Sequence, residues 1–475
     1  MTEPLRTIED FQVRIASDPT SIVELTIEAL SKLDNLGREL NAVAHIAKDE
    51  AIARAERLCD AALSNKYDYS APLFGIPVAH KDLYMRAGWP CEGGSKTLAG
   101  NIAQQTAFVI DRLDQQGTVD CGRLTSVEFG LGTTGHNSYA GTPTNPWNRE
   151  YICGGSSSGS AAAVAAGIVP ASLGSDTGGS VRLPAAACGL VGLKPTHGLV
   201  GRSGVIALSP TLDTVGPLTR TVRDSAILLQ AISAVDDKDS CSIAHDLPNL
   251  LNLLEGGVAG LRIGWPSNHF FEDTESSVSD DISEIFSLLE RLGAECVDVE
   301  VRGIETANAM AMLITAVEGA SLHQTTILEN HRDFGEQSLA RLLVGLFIPA
   351  TDYNNALSNR GSFAKRVLED TFKKVDAVIT PIWPYPLPTI EASDVGANPE
   401  AAAMVLRSGG NTRPVNYLGF PAVNIPTGFD ANGLPTSVQL IGAPFTESKL
   451  LTIARTLERE IDFWATSPKL ATEAQ

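Results

Sequence analysis

The spacing of apolar side chains predicts helices and short strands that alternate along most of the chain. Asp18-Pro19-Thr20-Ser21 is a helix start signal. The apolar positions that follow it have near-helical spacing: Ile22, Leu25, Ile27 and Leu30. A second helix, with a polar and an apolar side, is predicted over residues 49–63. The chain therefore begins with a helical segment, which we place at residues 1–70.

A helix followed by a strand is the clearest unit further along the chain. Its apolar residues fall on one helical face: Val278, Ile282, Ile285, Leu289 and Leu292. Gly293 supplies a helix end, and residues 296–301 alternate between apolar and polar side chains as a strand does. This order of elements is typical of a sheet covered by helices.

The short apolar runs predict nine strands: 76–80, 118–123, 169–173, 190–193, 261–264, 296–301, 377–382, 422–425 and 437–441. Helices separate most of them, which indicates an α/β fold with a single large mixed β-sheet flanked by helices on both faces. We expect residues 71–467 to form one compact unit with the N-terminal helices. Residues 468–475 are expected to be a mobile tail.

Composition and charge restrict the class of protein. Of 475 residues, 43% are hydrophobic and 19% are charged, which is enough for a core. The net charge of −20 repels phosphate backbones and anionic lipids, so we expect neither a nucleic-acid partner nor a membrane partner. Seven cysteines without a Cys-x-x-Cys pair indicate neither disulfides nor zinc. With no apolar run of about 18 residues and no apolar leader, a cytoplasmic location is expected.

Two clusters of glycine and serine, at residues 153–160 and 174–180, are the most unusual composition in the chain. Such clusters mark backbone that bends tightly or approaches a ligand closely. Neither cluster is followed by the lysine of a phosphate-binding loop. Gly155-Ser156-Ser157-Ser158-Gly159 fits the nucleophile elbow of α/β-hydrolases, with Ser157 as nucleophile. That fold needs a later histidine, and the last one is His331, so this esterase interpretation is an unfavoured alternative.

Lys81 is a second candidate, because it follows an apolar strand and precedes Asp82. Burial disfavours an ammonium group, so a lysine at the end of a buried strand is uncommon unless it is paired or functional. Three interpretations stay open on this evidence. The side chain extends to the surface, pairs with Asp82, or acts as a base.

Several longer motifs, in this order, resemble the amidase signature family over residues 73–457. They are residues 75–82, 144–148, 154–160, 174–180, 192–196, 209–217, 433–435 and 438–442. The resemblance implies the amidase signature fold for residues 71–467. It also implies a Ser–cis-Ser–Lys triad, with Ser180 as nucleophile, Ser156 as a bridging serine after a cis peptide bond, and Lys81 as base.

The implied chemistry suits these residue types. A serine hydroxyl is a weak nucleophile and needs a base, while a free lysine with a pKa of about 10.4 becomes one only where burial lowers that pKa. The N–H groups of Thr177, Gly178, Gly179 and Ser180 precede a predicted helix and are placed to hold an oxyanion. Gly130 adds a backbone contact by the same resemblance. We expect Asp176 and Arg182 to brace this loop as a pair.

The substrate pocket is less defined by the sequence. Trp383 and Tyr385 follow a core strand and are candidates for an aromatic wall. Residues 306–322, rich in alanine and methionine, are interpreted as core, with a pocket wall as the alternative. His80 and His136 are interpreted as structural. We expect no metal and no cofactor.

The resemblance implies an amidase that cleaves a C–N acyl bond of a small molecule through a seryl acyl-enzyme. A carboxamide is the leading substrate class, with hydrazides and ureides as further options, and water is the acceptor. The alternative is the transamidating A-type subunit of a glutamine-dependent tRNA amidotransferase. Residues 125–137 depart from the usual wording of those subunits. A non-catalytic binding protein is a third alternative, and a homodimer is left open.

Overall fold

A computed structural model describes residues 7–64 and 71–468 of the chain. The strands within these residues are β1 (Val43–Ile46), β2 (Pro77–Lys81), β3 (Val119–Leu124), β4 (Ala171–Asp176), β5 (Val191–Lys194), β6 (Thr214–Thr219), β7 (Arg262–Pro266), β8 (Glu295–Val299), β9 (Ala377–Pro381), β10 (Ala422–Phe429) and β11 (Pro435–Ile441). The α-helices are α1 (Ile8–Ser17), α2 (Ser21–Lys32), α3 (Lys48–Leu63), α4 (Phe108–Gln115), α5 (Ser158–Ala165), α6 (Arg182–Cys188), α7 (Val222–Ile232), α8 (Ser276–Arg291), α9 (Ile304–Asn330), α10 (Glu336–Gly345), α11 (Ala350–Val367), α12 (Ala401–Ser408), α13 (Arg413–Leu418) and α14 (Glu447–Glu460). The expected mobile tail lies outside the described residues, except for Pro468.

The large mixed sheet predicted from the sequence is confirmed. In the described part of the chain it has eight strands in the order β4-β6-β5-β10-β11-β9-β7-β8. Its pairs are antiparallel from β4 to β9, and β9, β7 and β8 run parallel. Two predicted strands, β2 and β3, lie instead in a three-stranded sheet with β1. Lys81 is the last residue of β2, so this smaller sheet positions the candidate base.

All nine predicted strands are present, and two further strands were not predicted. β6 contains Gly216 and Pro217, which are rare inside strands. A Cβ atom at Gly216 would lie 2.0 Å from the carbonyl oxygen of Leu193 in the neighbouring strand, so glycine permits the close approach of β5. β1 has four residues and is only half-buried, which leaves a weak apolar pattern.

The N-terminal helices begin where the sequence predicts, and they join the main core. α2 starts at Ser21 and buries Ile22, Leu25 and Leu30, whereas Ile27 is exposed. The apolar residues of α1, α2 and α3 belong to the same cluster as those of β2, β4, β5 and β10. Within the described residues, no helix has the length and apolar character needed to cross a membrane.

Helices of small residues bring the two glycine-serine loops together. Every residue of α5 and α6 is buried; α5 consists of serine, glycine and alanine with one valine, and α6 contains three consecutive alanines followed by Cys188. Small side chains let a helix approach a neighbouring backbone closely. The loop before α5 carries Ser156, and the loop between β4 and α6 carries Ser180.

Candidate active site

Lys81 is fully buried and contacts two serine hydroxyls. Its Nζ lies 2.7 Å from Ser156 Oγ and 2.8 Å from Ser175 Oγ. Burial lowers the pKa of Lys81 to about 7, and the more distant Asp213 and Asp176 oppose this shift. Of the three interpretations left open by the sequence, the geometry therefore favours a base.

Asp82 is not the partner of Lys81. Its carboxylate accepts hydrogen bonds from the backbone N–H groups of Glu92, at 3.4 Å, and Gly94, at 3.3 Å. Burial raises the pKa of Asp82 to about 7. This carboxyl group holds the turn after β2, and the contacts of Lys81 are with the two serine hydroxyls.

The hydroxyl of Ser156 contacts Lys81 and lies beside Gly130. The Gly155–Ser156 peptide bond is cis. Gly130 lies against the hydroxyl of Ser156, because a Cβ atom at position 130 would be 3.4 Å from Ser156 Oγ and 3.8 Å from Lys81 Nζ. With a φ of +77°, Gly130 also has a backbone conformation that favours glycine.

Ser180 faces a cavity, whereas Ser157 does not. Ser180 is 7% exposed and lines a cavity of about 620 Å³ together with Gly130, Thr177 and Gly178. Ser157 is fully buried, and its hydroxyl donates to the carbonyl oxygen of Ser180 at 2.6 Å. Ser157 therefore fixes the backbone of Ser180, and the geometry does not support it as a nucleophile.

The loop from Thr177 to Val181 is held by Asp176. The carboxylate accepts from the N–H groups of Gly179 at 2.8 Å and Val181 at 3.1 Å. Arg182 pairs with it, as expected, through Nε at 3.0 Å and Nη2 at 2.9 Å. Burial raises the pKa of Asp176, but the Arg182 guanidinium outweighs this and holds it below its ordinary value. The carboxylate is thus ionised and anchors the loop.

One of the four predicted oxyanion donors is occupied. The N–H of Gly179 already donates to Asp176, so it is not free to hold an oxyanion in this arrangement. No hydrogen bond of the described residues engages the N–H of Thr177, Gly178 or Ser180. These three residues line the cavity, so their N–H groups are the predicted donors that remain free.

Trp383 and Tyr385 do not line this cavity, which corrects the predicted aromatic wall. Both are buried in an apolar cluster, where Trp383 Nε1 donates to Leu183 O at 3.2 Å and Tyr385 OH donates to Met404 O at 2.7 Å. Met404 belongs to α12, a helix that does line the cavity. Tyr385 therefore contacts α12 without lining the cavity itself.

The cavity walls come mainly from α9, α10 and α12. Of residues 306–322, interpreted as core from the sequence, four side chains reach the cavity: Met312, Leu313, Thr315 and Ala316. Ser175 was not predicted as a contact of the base, although it lies within the glycine-serine cluster at residues 174–180. Two arginines of the cavity, Arg341 and Arg413, were not predicted either, because no local pattern distinguishes them from surface residues.

The histidines are structural, as the sequence predicted. His80 is buried, and its Nδ1 accepts from the N–H of Leu173 at 3.1 Å. Burial lowers the pKa of His80 to about 3. His136 lies 2.8 Å from Thr134 Oγ1 and 3.0 Å from the carbonyl oxygen of Ile390. Neither imidazole contacts a serine of the site.

Comparison with known proteins agrees with this geometry. A family model described as "Amidase" matches residues 24–451. The chain belongs to the amidase signature family. The chain is 34% identical over 480 residues to the A-type subunit of the glutamyl-tRNA(Gln) amidotransferase of Trichlorobacter lovleyi, a match that covers 96% of this chain and 97% of the relative.

Solved structures of the family superpose on this chain over nearly its whole length. One is a chain of a vestigial complex said to reveal the evolutionary origins of an s-triazine catabolic enzyme, with a TM-score of 0.89, 32% identity and coverage of 96% of this chain and 98% of that one. Another is the A-type subunit of the glutamyl-tRNA(Gln) amidotransferase of Thermotoga maritima, with a TM-score of 0.79, 32% identity and coverage of 96% and 95%.

These relatives correct the partner prediction. The net charge of −20 predicts that nucleic acid is excluded, and the family resemblance implies a small amide and water as the molecules bound. The Trichlorobacter lovleyi relative, matched over 96% of the chain, is a subunit of an enzyme named for a glutamyl-tRNA. The exclusion is wrong, because the net charge of one chain does not determine what an assembly of several chains binds.

Proposed function

We propose that this amidase cleaves a carboxamide through an acyl-enzyme on Ser180, and that it does so as the transamidating subunit of a glutamine-dependent tRNA amidotransferase. The contact of 2.7 Å between Lys81 Nζ and Ser156 Oγ, beside a nucleophile that faces a cavity, carries the chemical part of the proposal. The relatives that are A-type subunits of glutamyl-tRNA(Gln) amidotransferases support the biological part.

The first step is acylation. Neutral Lys81 accepts the proton of Ser156, and Ser156 accepts the proton of Ser180 as Ser180 Oγ attacks the carbonyl carbon. The oxygen of the tetrahedral intermediate is held by the N–H groups of Gly178 and Ser180. Ser156 then returns a proton to the leaving nitrogen, the C–N bond breaks, and an ester remains on Ser180.

The second step releases the acyl group. Water attacks the ester along the same proton relay and restores the free serine. When the amide is that of glutamine, the products are glutamate and ammonia. In an amidotransferase this ammonia is used to amidate glutamyl-tRNA(Gln), whose carboxylate must first be activated at a separate site. The chemistry at Ser180 therefore supplies the ammonia and is the same as in simple hydrolysis.

A stand-alone hydrolase of small amides is the second candidate. The chain superposes better on the structure related to s-triazine catabolism, with a TM-score of 0.89, than on the Thermotoga maritima subunit, with 0.79. This similarity favours a small-molecule substrate, but it does not favour a stand-alone enzyme, because that structure is itself a complex. Residues 125–137 also differ from the wording typical of the amidotransferase subunits. Both candidates use the same triad.

Ammonia release distinguishes these functions. The chain is assayed with glutamine and with a panel of aryl, alkyl and amino-acid amides, alone and together with the remaining subunits of an amidotransferase from its own source. Glutaminase activity that rises with the partners, together with amidation of glutamyl-tRNA(Gln), supports the proposal. Turnover of small amides that partners do not change supports the second candidate.

The triad assignment has its own control in this assay. Lys81→Ala and Ser180→Ala should each reduce ammonia release by at least about 10³-fold while the far-UV circular dichroism spectrum stays unchanged. Ammonia release that survives either substitution, or no release from any amide with or without partners, would contradict the acyl-enzyme chemistry.

A further inference from the structure

A carbonyl oxygen of the loop between β4 and α6 is held by a side chain from a distant segment. Thr412 Oγ1 donates to Gly178 O at 2.6 Å, although the two residues are 234 positions apart in the sequence. A second carbonyl oxygen, that of Gly409, is 3.3 Å from the same hydroxyl. Because a hydroxyl has one proton, the shorter contact defines the bond. Thr412 takes no part in the proposed proton transfers.

The hydroxyl of Thr412 is packed directly against the loop. Thr412 is fully buried and lies immediately before α13. A Cβ atom at Gly179 would lie 2.3 Å from Thr412 Oγ1, so glycine permits this approach. The side chain therefore contacts both adjacent glycines of the loop.

The bond to Gly178 O fixes a peptide plane. The peptide group between Gly178 and Gly179 is bound at both ends, because its oxygen accepts from Thr412 and its N–H donates to Asp176 at 2.8 Å. The N–H groups of Gly178 and Ser180 belong to the two adjacent peptide groups, and neither has a protein acceptor in the described part of the chain. Glycine is the most freely rotating residue, so a loop with two adjacent glycines needs contacts from outside to keep these N–H groups in one direction.

The segment that carries Thr412 is itself anchored. The carbonyl oxygen of Thr412 accepts from Arg182 Nη2 at 3.1 Å. Four residues later, Asn416 Nδ2 donates to the backbone oxygen of Asp176 at 2.8 Å, and Asn416 Oδ1 accepts from Arg182 Nη2 at 2.7 Å. Asp176 and Arg182 flank the loop at its two ends. Thr412 is therefore held in place relative to the loop that it contacts.

We propose that Thr412 is a positioning residue of the oxyanion hole, whose hydroxyl fixes Gly178 O and so directs the N–H groups of Gly178 and Ser180 at the developing oxyanion. The inference rests on the proposed function, which assigns the oxyanion to these donors. Loss of one oxyanion donor costs about 10²–10³ in rate. Loss of the Thr412 hydroxyl leaves both donors present but less well directed, so we expect a smaller loss, about 10–10²-fold in kcat. Thr412 does not line the cavity, so binding of the intact amide should change little.

Steady-state kinetics test the inference with a conservative pair of variants. Thr412→Val keeps the shape of the side chain and removes the hydroxyl. It should lower kcat about 10–10²-fold for the amide that is turned over fastest, with KM changed less than about threefold. Thr412→Ser restores a hydroxyl and should return kcat to within about threefold of the parent value. A loss that appears in KM, or a serine variant as slow as the valine variant, would overturn the inference.

Thr371→Val is the matched control. Thr371 is also fully buried, and its hydroxyl donates to Glu300 O at 3.1 Å, outside the active site. Each valine variant loses one buried hydrogen bond, so both should lower the melting temperature by similar amounts, but only Thr412→Val should lower kcat. Equal kcat values of the two variants would show that Thr412 has a structural role alone.

Hydrogen exchange tests the loop without any substrate. The N–H groups of Gly179 and Val181 both donate to Asp176, and they exchange when the loop opens. Mass spectrometry of peptides spanning residues 177–182 should show exchange at least about tenfold faster in Thr412→Val than in Thr371→Val, and no acceleration in Thr412→Ser. Unchanged exchange would overturn the inference even in a protein that turns over no amide. Absence of turnover would instead contradict the proposed function, and the exchange rates would still decide whether Thr412 fixes the loop.

Discussion

The pKa of Lys81 is set by its burial, and this predicts how kcat/KM should depend on pH. The ammonium form has no lone pair to accept a proton, and burial brings the pKa of Lys81 down to about 7. Because the neutral form dominates above that value, kcat/KM for an uncharged amide should rise about tenfold per pH unit below about pH 7 and level off above it. The measurement is a pH–rate profile over the range in which the protein stays folded.

Asp82 provides the control for this profile, because burial raises its pKa to about 7 as well. Its carboxylate contacts the backbone near Gly94 and not a serine of the site. Asp82→Asn should therefore keep the rise in kcat/KM. An acid optimum for acylation, or a profile that becomes flat in Asp82→Asn, would contradict Lys81 as the base.

Ser156 and Ser157 are adjacent in sequence but have different contacts, so the alanine variants of the two serines serve as controls for each other. Ser156→Ala removes the proposed proton relay between Lys81 and Ser180 and should lower kcat by about 10²–10⁴ with little effect on stability. Ser157→Ala removes a buried hydrogen bond to Ser180 O and should lower the free energy of unfolding by about 1 kcal/mol. Thermal unfolding and turnover of both variants separate these effects, and the reverse assignment would show that Ser157 is the reacting group.

At the scale of elements, the loop between β4 and α6 depends on two adjacent glycines for different reasons. Gly179 has a φ of +125°, and a Cβ atom there would lie 2.3 Å from Thr412 Oγ1. Gly178 meets only the flexible stem of Arg413, 3.0 Å away. Gly179→Ala should therefore lower the melting temperature by several degrees, whereas Gly178→Ala should mainly lower kcat. Equal melting temperatures of the two variants would mean that the loop accommodates an added methyl group at position 179 without loss of stability.

At the scale of the molecule, the N-terminal helices are part of one core and not an appendage. Ile8 and Ile22 are fully buried in the same apolar cluster as Phe74 and Val78 of the body. Removal of residues 1–37 should expose this cluster, so the truncated chain should lose cooperative thermal unfolding or aggregate. A truncated chain that melts cooperatively at the temperature of the whole protein would show that the helices are dispensable.

Local patterns in the sequence predict secondary structure and motifs, but they do not show which distant segments come into contact. Short apolar runs predicted the strands, and the order of the motifs led to the proposal of Lys81, Ser156 and Ser180 as the triad. β6 was missed because Gly216 and Pro217 weaken a strand pattern, although packing against β5 favours them. The donation of the Gly179 N–H to Asp176 depends on how the loop folds back, and the sequence does not show it.

The cavity was the least predictable part for the same reason. Arg341 and Arg413 lie far from Ser180 along the chain and meet it only through the packing of helices. Trp383 and Tyr385 are residue types that often line pockets, yet their side chains form hydrogen bonds to the carbonyl oxygens of Leu183 and Met404. Side-chain direction after a strand is decided by neighbours that the local pattern does not contain.

The helical walls have an evolutionary consequence. The proposed reacting groups all lie between Lys81 and Ser180 in the sequence, while α9, α10, α12 and the start of α13 supply most of the cavity from residues 304–413. Mutations in residues 304–413 can therefore change substrate specificity without changing the proposed catalytic residues. Exchange of that second stretch between relatives is a route by which new specificities arise on an inherited catalyst.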